Sequence, residues 1–234
     1  MKTKFITFGA GEKCYNDAGK RLIEQAKSVD LFDEVKFFTD IDLRSDPYFW
    51  PKHGEFIQKN RRGYGYWLWK SYIIKKTMES MSDGEILLYL DCGCEIGAMH
   101  KTKLTEYFEH VKTDLLIGTW TQVEKYWNKQ DLLLHLNITD AQHLNSPQRQ
   151  GGAVLYYVCD RTREFVNMWY NTCCDYHMID DTPSIAANPQ YFREHRHDQS
   201  VFSLLVKKYN LVCSKSLGEC ASINRNKSGI SRLT

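Results

Sequence analysis

GYGYWLWKSYIIKKTMESMSDGEILLYLDCGCEIG, residues 63–97, passes from glycines and aromatics through a helical stretch into an apolar run that stops on an acid. Tyr66, Trp69, Ile73 and Thr77 recur at helical spacing, which gives a helix one apolar face. Ser82-Asp83-Gly84 then signals a turn. The next run, EILLYL from Glu85 to Leu90, is continuously apolar, the pattern of a central strand covered on both faces. Asp91 stands at its tip, in a turn built from Cys92, Gly93, Cys94 and Glu95.

Working outward, TKFITF (3–8) alternates polar and apolar and ends on Gly9-Ala10-Gly11, a strand entering a loop. Ala18, Leu22, Ile23, Ala26 and Val29 follow at helical spacing, and EVKFFT (34–39) is a second strand. This βαβ opening predicts a parallel sheet with a right-handed crossover. Downstream, residues 101–112 read as a helix, DLLIGT (114–119) and GGAVLYYV (151–158) as strands, and Asp160 as the cap of a helix holding Phe165, Val166, Trp169 and Cys173. HRHDQSVFSLLVKKY (195–209) ends in an amphipathic helix, and the last residues are polar and expected to be loosely held. The expected architecture is one α/β domain over residues 1–234. It has a mostly parallel central sheet flanked by helices, a core over about 3–213 and a polar tail over 218–234.

With 234 residues and no linker-like stretch, the chain suits one large domain. A net charge of +2, from 31 basic against 29 acidic side chains, leaves no general bias toward nucleic acid. The basic spots at Lys59, Arg61 and Arg62 and from Arg225 to Arg232 read as solvated surface. No apolar run approaches the ~20 residues needed to cross a bilayer, so a cytoplasmic protein is expected, with at most peripheral membrane contact. The first residues hold no apolar stretch of secretory-leader length, so secretion by the usual route is not expected and the sequons at Asn137 and Asn226 are expected to be coincidental. The eight cysteines lack the paired spacing of zinc sites and read as small buried thiols.

Ligands of open α/β sheets bind beyond the carboxyl ends of the strands. Gly9 and Asp91 both lie at such ends. Asp91 either starts a turn, as Asp readily does, or offers a hard oxygen to Mg²⁺ or Mn²⁺, with Glu95 as a second ligand. Around Asp198, the run His195-Arg196-His197-Asp198-Gln199 either caps a helix or brings a carboxylate to a sugar, a hydroxyl or a metal. Trp120 and Trp127 are candidates for stacking on a sugar or base. Gly9-Ala10-Gly11 lacks the third glycine of a dinucleotide fingerprint, and no Walker loop or nucleophile elbow occurs.

GYGYWLWKSYII, ILLYLDCGCEI, QGGAVLYY and HRHDQSVFSLL, in this order and spacing, resemble nucleotide-sugar-dependent glycosyltransferases of the GT-A fold. The likeness is to small enzymes of capsular-polysaccharide, lipopolysaccharide and large-DNA-virus glycosylation, and it spans residues 3 to 210. It implies a Rossmann-like nucleotide-diphospho-sugar transferase, a UDP- or GDP-sugar donor, a glycan acceptor, and Mn²⁺ or Mg²⁺ on the diphosphate. Carried over by position, Thr7, Phe8 and Gly9 hold base and ribose, and Arg62 and Lys70 face the diphosphate. Asp91, Cys92 and Gly93 fall on the metal motif, with Asp91 on its first acid. Gly151 and Gly152 line the acceptor side, where Trp120 is expected from the reading of the aromatics above. His197, Asp198 and Gln199 face donor sugar and acceptor, with Asp198 and His197 as the catalytic candidates. The second acid of the motif is Gly93, and relatives' Lys-Pro is Lys70-Ser71. A sugar nucleotidyltransferase and a non-catalytic nucleotide- or carbohydrate-binding domain are the alternatives.

Overall fold

The computed structural model describes residues 2–233. Strand β1 (Thr3–Gly9) is followed by α1 (Lys13–Val29), β2 (Glu34–Thr39), α2 (Asp40–Arg44), α3 (Phe49–Lys59), a short turn α4 (Gly63–Tyr66) and α5 (Leu68–Glu79). Then come β3 (Ile86–Leu90), α6 (Lys101–Asp114), β4 (Leu116–Val123), α7 (Gln130–His135) and α8 (Ala141–Asn145). The last elements are β5 (Pro147–Tyr157), α9 (Asp160–Cys174) and α10 (Asp198–Lys208). No helix among the described residues is long and apolar enough to cross a membrane.

The sheet order is β2-β1-β3-β5-β4. β1 pairs in parallel with both β2 and β3, as the βαβ opening requires. β5 is antiparallel to β3 and to β4, so four of the five strands point one way and β5 is inserted against them. Every residue of β3 is buried, which is the physical content of its unbroken apolar run. One face of the sheet is covered by α3, α5, α9 and α10, around Phe49, Leu68, Ile73, Trp169 and Phe202. The other is covered by α1 and α6, around Leu22, Ala26, Leu104 and Val111. Side chains of this kind, fully buried, contribute roughly 1.5–3 kcal/mol each. The eight cysteines are free thiols, and Cys92, Cys94, Cys173, Cys213 and Cys220 are buried.

The antiparallel β5 has a consequence for position. Its amino-terminal half, not its carboxyl end, lies beside the tip of β3: Leu90 pairs with Ala153, and the Asp91 amide donates to the Gly152 carbonyl at 2.7 Å. The ladder to β4 is irregular just there, because Ile117 faces Leu155 while Thr119 faces Gln150. Such bulges bend a strand and re-aim its residues, here beside the tip of β3.

The tail does not behave as the sequence suggests. Arg21, buried on α1, donates to the carbonyls of Cys92 and Cys94 and to those of Asn226 and Ser228. Glu95, fully buried, accepts from the side chains of Asn224, Asn226 and Ser231 and from the Arg232 amide. An isolated bridge between Glu95 and Ser222 completes the attachment. A polar composition is compatible with order here because buried partners satisfy its hydrogen bonds. Asn226, in the second sequon, is buried by the same network.

Burial alone would raise the Glu95 carboxyl, but the donors from Asn224, Asn226, Arg232 and Ser231 outweigh it and hold it down at about 2. A carboxylate depressed on folding stabilises above its ordinary value and loses that contribution as pH falls toward the folded value. From 4.5 to about 2 this is on the order of 3 kcal/mol. Urea unfolding should therefore weaken between pH 5 and 2 in the wild type and less so in Glu95→Gln. That variant should also loosen the tail so that trypsin cuts after Arg225 and Lys227 faster at neutral pH, and an unchanged digest would show that the tail is held by something else.

Candidate active site

The approach to the site begins with an unusual turn. Gly63, Tyr64, Gly65, Tyr66 and Trp67 all have left-handed φ, from 51° to 83°. Left-handed backbone costs a non-glycine residue roughly 1–2 kcal/mol, and three such residues occur in succession with two glycines. The turn is held by the Gly65 amide to the Asn60 carbonyl at 2.8 Å, the Tyr66 amide to Arg62 at 2.8 Å, and the Trp69 indole to the Gly63 carbonyl at 3.0 Å. A Cβ on Gly65 would meet Ile57 at 2.6 Å, so glycine is required for packing as well as for conformation. Helix α5 thus starts at Leu68, two residues later than the periodicity of Tyr66 suggests, and its first turn drives Lys70 into the protein.

The Lys70 ammonium lies 3.3 Å from Asp91 Oδ1 and 3.4 Å from Asp198 Oδ2. Burial by itself would lower the lysine, but Asp198 and Asp91 outweigh it and keep the ammonium charged. Tyr89, two residues before Asp91 on β3 and therefore on the same side, donates its hydroxyl to Asp91 Oδ1 at 2.5 Å. That period-two relation is legible in the sequence, and Tyr89 is the site residue its reading missed. Asp91 keeps 42% of its side chain exposed, whereas Lys70 and Asp198 are almost wholly enclosed. On the far side, a Cβ on Gly152 would come within 2.5 Å of Asp91 Oδ2. The second glycine of β5 is the space in which the carboxylate stands.

Asp198 is the first residue of α10, reached through His197 at φ 54°, and the Trp169 indole donates to its carbonyl at 3.1 Å. Burial pushes its carboxyl up to about 6, with Lys70 opposing and Asp91 adding to the rise. Asp198, expected to face donor sugar and acceptor, has its side chain almost wholly enclosed against the Lys70 ammonium. At 3% exposure it reaches the site surface only through Lys70. His197, the other catalytic candidate, has its ring on Tyr66, its Nε2 2.9 Å from Asp181 Oδ1, and its pKa lowered by burial, and these contacts brace the loop. Gln199 donates to Gln148 at 2.7 Å, tying α10 to β5.

The other expected residues divide clearly. Phe8 is buried face to face with Trp69 at 3.8 Å, which makes it core, not a base platform. Gly9 is required because a Cβ there would sit 2.5 Å from the Tyr15 carbonyl oxygen. The Thr7 hydroxyl is buried and, among the described residues, has no hydrogen-bond partner. Arg62 is committed to Asp181 at 3.1 Å and Glu194 at 2.8 Å, so it does not point a free charge at a ligand. Gly151 lies against Phe202 and Trp169 inside the core. Trp120 is 39% exposed beneath the Arg149 guanidinium, while Trp127 is buried under Arg196. Cys92 is buried, and its thiol is pushed up to about 12 by that burial.

A two-carboxylate metal centre does not fit these residues. The Glu95 carboxylate is turned to the tail and saturated by it. Asp91 Oδ1 is shared by Lys70 and Tyr89, and only its second oxygen is uncommitted. At Gly93 a Cβ would lie 3.1 Å from the Arg225 Cα, so backbone fills the direction a second acid would take. The pairing of Asp91 with Glu95 is therefore not what the fold builds.

Breaking a buried ion pair costs about 3–5 kcal/mol because the remaining charge is stranded. Lys70→Met should show a loss of this size in urea unfolding at pH 7. Adding Asp198→Asn should restore part of it, since residues sharing a partner are non-additive. Strict additivity of the two substitutions would show that the pair is uncoupled.

No family model matches the chain, and no curated protein matches it. Among solved structures it is similar to a glycosyltransferase involved in glycosylation of the major capsid of PBCV-1, at 12% identity and a TM-score of 0.41. That match covers 73% of this chain and 66% of the other, just under two thirds of its length. It is also similar to mouse xyloside xylosyltransferase 1 in its apo form, at 13% identity and a TM-score of 0.46, over 91% of this chain and 84% of that one. A third similarity is to the galactosyltransferase LgtC in complex with donor and acceptor sugar analogues. It has 15% identity and a TM-score of 0.45, and covers 85% of this chain and 68% of the other.

Proposed function

We propose that the chain is a glycosyltransferase that moves a sugar from a nucleoside-diphosphate donor to a hydroxyl of a glycan. One observation carries this reading. The four segments that carry the resemblance, far apart in sequence, meet at Asp91: Lys70 from the first, Asp91 from the second, Gly152 from the third and Asp198 from the fourth. They meet at the carboxyl ends of β1 and β3, where open α/β sheets bind ligands.

In this reading Asp91 is the residue that touches substrate. Its exposed oxygen accepts a hydrogen bond from a hydroxyl of the donor sugar, while Lys70 and Tyr89 fix the other oxygen. A carboxylate held in advance does not have to reorganise as the glycosyl group moves, which is the main source of electrostatic rate enhancement. Asp198 acts through Lys70 as a positioning residue. Trp120, half exposed on β4, offers a flat apolar face of the kind sugar rings lie against.

The test is nucleoside-diphosphate release from UDP- and GDP-sugars, with and without glycan acceptors. Asp91→Asn should lower turnover at least ~100-fold, the usual size of a lost transition-state contact, in a chain that still folds, as its near-UV circular dichroism would show. Turnover should rise through pH about 6 as Asp198 ionises and secures Lys70, and Asp198→Asn should remove that acid limb. Near-normal turnover in Asp91→Asn would sink the assignment of Asp91. Pyrophosphate release from a nucleoside triphosphate and a sugar phosphate would replace the reading with a nucleotidyltransferase.

A further inference from the structure

We infer that a surface formed by Lys125, Tyr126, Trp127, Tyr191, Arg193 and Arg196 binds a negatively charged glycan chain, the body of this protein's acceptor. That the ligand is a glycan rests on the glycosyltransferase reading. That it is negatively charged rests on the surface itself.

Two segments far apart in the chain build it, the connection that leaves β4 and the loop that enters α10. Their backbones are joined: the Arg193 amide donates to the Tyr126 carbonyl at 2.9 Å and the Arg196 amide to the Trp127 carbonyl at 3.1 Å. Between the two arginines, His195 turns inward and is anchored by the Lys129 amide at 3.2 Å and the Met178 carbonyl at 2.8 Å. Burial there lowers it to about 3, so it adds no charge. With that anchor enclosed, Arg193 stands exposed and Arg196 half-buried.

Each cation lies over an aromatic face. The Arg196 guanidinium is 4.2 Å from the Trp127 ring centre, and Arg193 is 4.7 Å from Tyr126 and 6.0 Å from Trp127. The Lys125 ammonium is 5.5 Å from both Tyr126 and Tyr191. Tyr191, 45% exposed, meets Tyr126 edge to face at 6.2 Å. A guanidinium held over a ring by its face keeps its in-plane N–H donors free for whatever approaches the edge.

The protein leaves those donors largely unmatched. Among the described residues the Arg193 guanidinium meets no acid, and Lys125 has the Asn145 amide oxygen at 2.8 Å. The acid nearest Arg196 is Glu194 at 3.7 Å, which is shared with Arg62 at 2.8 Å. The Trp127 indole N–H, beneath Arg196, is also buried without a partner, and an unmet buried donor calls for an explanation.

Rings interleaved with cations fit a polymer of flat units that bear anions. Sugar rings offer an apolar face to Tyr and Trp, and a carboxylate or sulfate on them accepts the guanidinium fork in pairs. A neutral glycan would leave three charges unused. The surface is built from segments other than the Asp91 turn and joins the site through Arg196, two residues before Asp198. Its ligand is therefore the acceptor beyond the reacting sugar, not the nucleotide.

Titration calorimetry of the full chain tests this, with hyaluronan hexasaccharide for carboxylates, heparin hexasaccharide for sulfates, and chitohexaose as a neutral chain of equal ring number. At low salt at least one charged hexasaccharide should bind at least ~10-fold more tightly than chitohexaose, and the gap should narrow as salt is raised. Arg193→Gln and Arg196→Gln should each weaken that binding roughly 10-fold, the size of a lost charge-assisted hydrogen bond. Lys20→Gln, which removes a charge from α1, should change nothing. Equal affinity for charged and neutral chains, no binding of either charged chain, or unchanged affinity in both arginine variants would overturn the inference. So would displacement by an equal concentration of free glucuronate, or tighter binding of oligothymidylate, which would make the surface a nucleic-acid site. Nucleoside-diphosphate release from UDP- and GDP-sugars without acceptor, followed in the same proteins, separates the two readings. Release with no preference for charged chains would sink this inference alone, and charged-chain binding without any release would sink the transferase reading.

Discussion

The Lys70 ammonium, enclosed between Asp91 and Asp198, is the constraint around which this protein is arranged. A buried charge is tolerated only when its partners are fixed, because desolvation removes what water would have supplied. Each partner is accordingly held from elsewhere: Asp91 by the Tyr89 hydroxyl and the gap at Gly152, Asp198 by its place at the head of α10. Two helices and two strands must be in register for one lysine to be stable. In return the acid of the three that reaches solvent has one oxygen held by two donors.

The strained turn before α5 belongs to the same constraint. A helix continued backward through Tyr66 in the ordinary right-handed sense would alter the direction in which α5 enters the core. The left-handed run from Gly63 to Trp67 sets that direction, and the stacking of His197 on Tyr66 links it to the loop before α10. Strain of this kind persists only where surrounding packing over-determines it, and such places cluster at functional sites. The run therefore supports the siting of function here independently of the acid and base residues.

At the other side of the Asp91 turn, Arg21 and Glu95 form a buried base on which the tail is laid. Arg21 satisfies carbonyls of the turn and of the tail at once, so the two segments are ordered together. The polar residues of the tail are used as hydrogen-bond donors to a single buried carboxylate. Cys220 and Ala221 pack in the core, but from Asn224 to Arg232 the attachment is made by hydrogen bonds, which hydrophobic pattern does not reveal.

Much of the fold was legible in local pattern. The unbroken apolar run of β3, the βαβ opening and the periodicity of α1, α5 and α10 follow from which faces must leave water, and that is a property of neighbours in sequence. Asp91, Lys70 and Asp198 were legible as candidates because their segments resemble one family and because strand ends are where ligands bind. Their partnerships were not. That β5 runs antiparallel, that Glu95 faces the tail, that Arg62 is spent on Asp181 and Glu194, and that Asp198 stands behind Lys70 are all decided by contacts between residues far apart in the chain. Sequence by itself fixes which residues can ionise and which stretches must be buried. Only the tertiary structure decides which charges meet, because the energy of a charge depends on distance and desolvation, and neither is local to the chain.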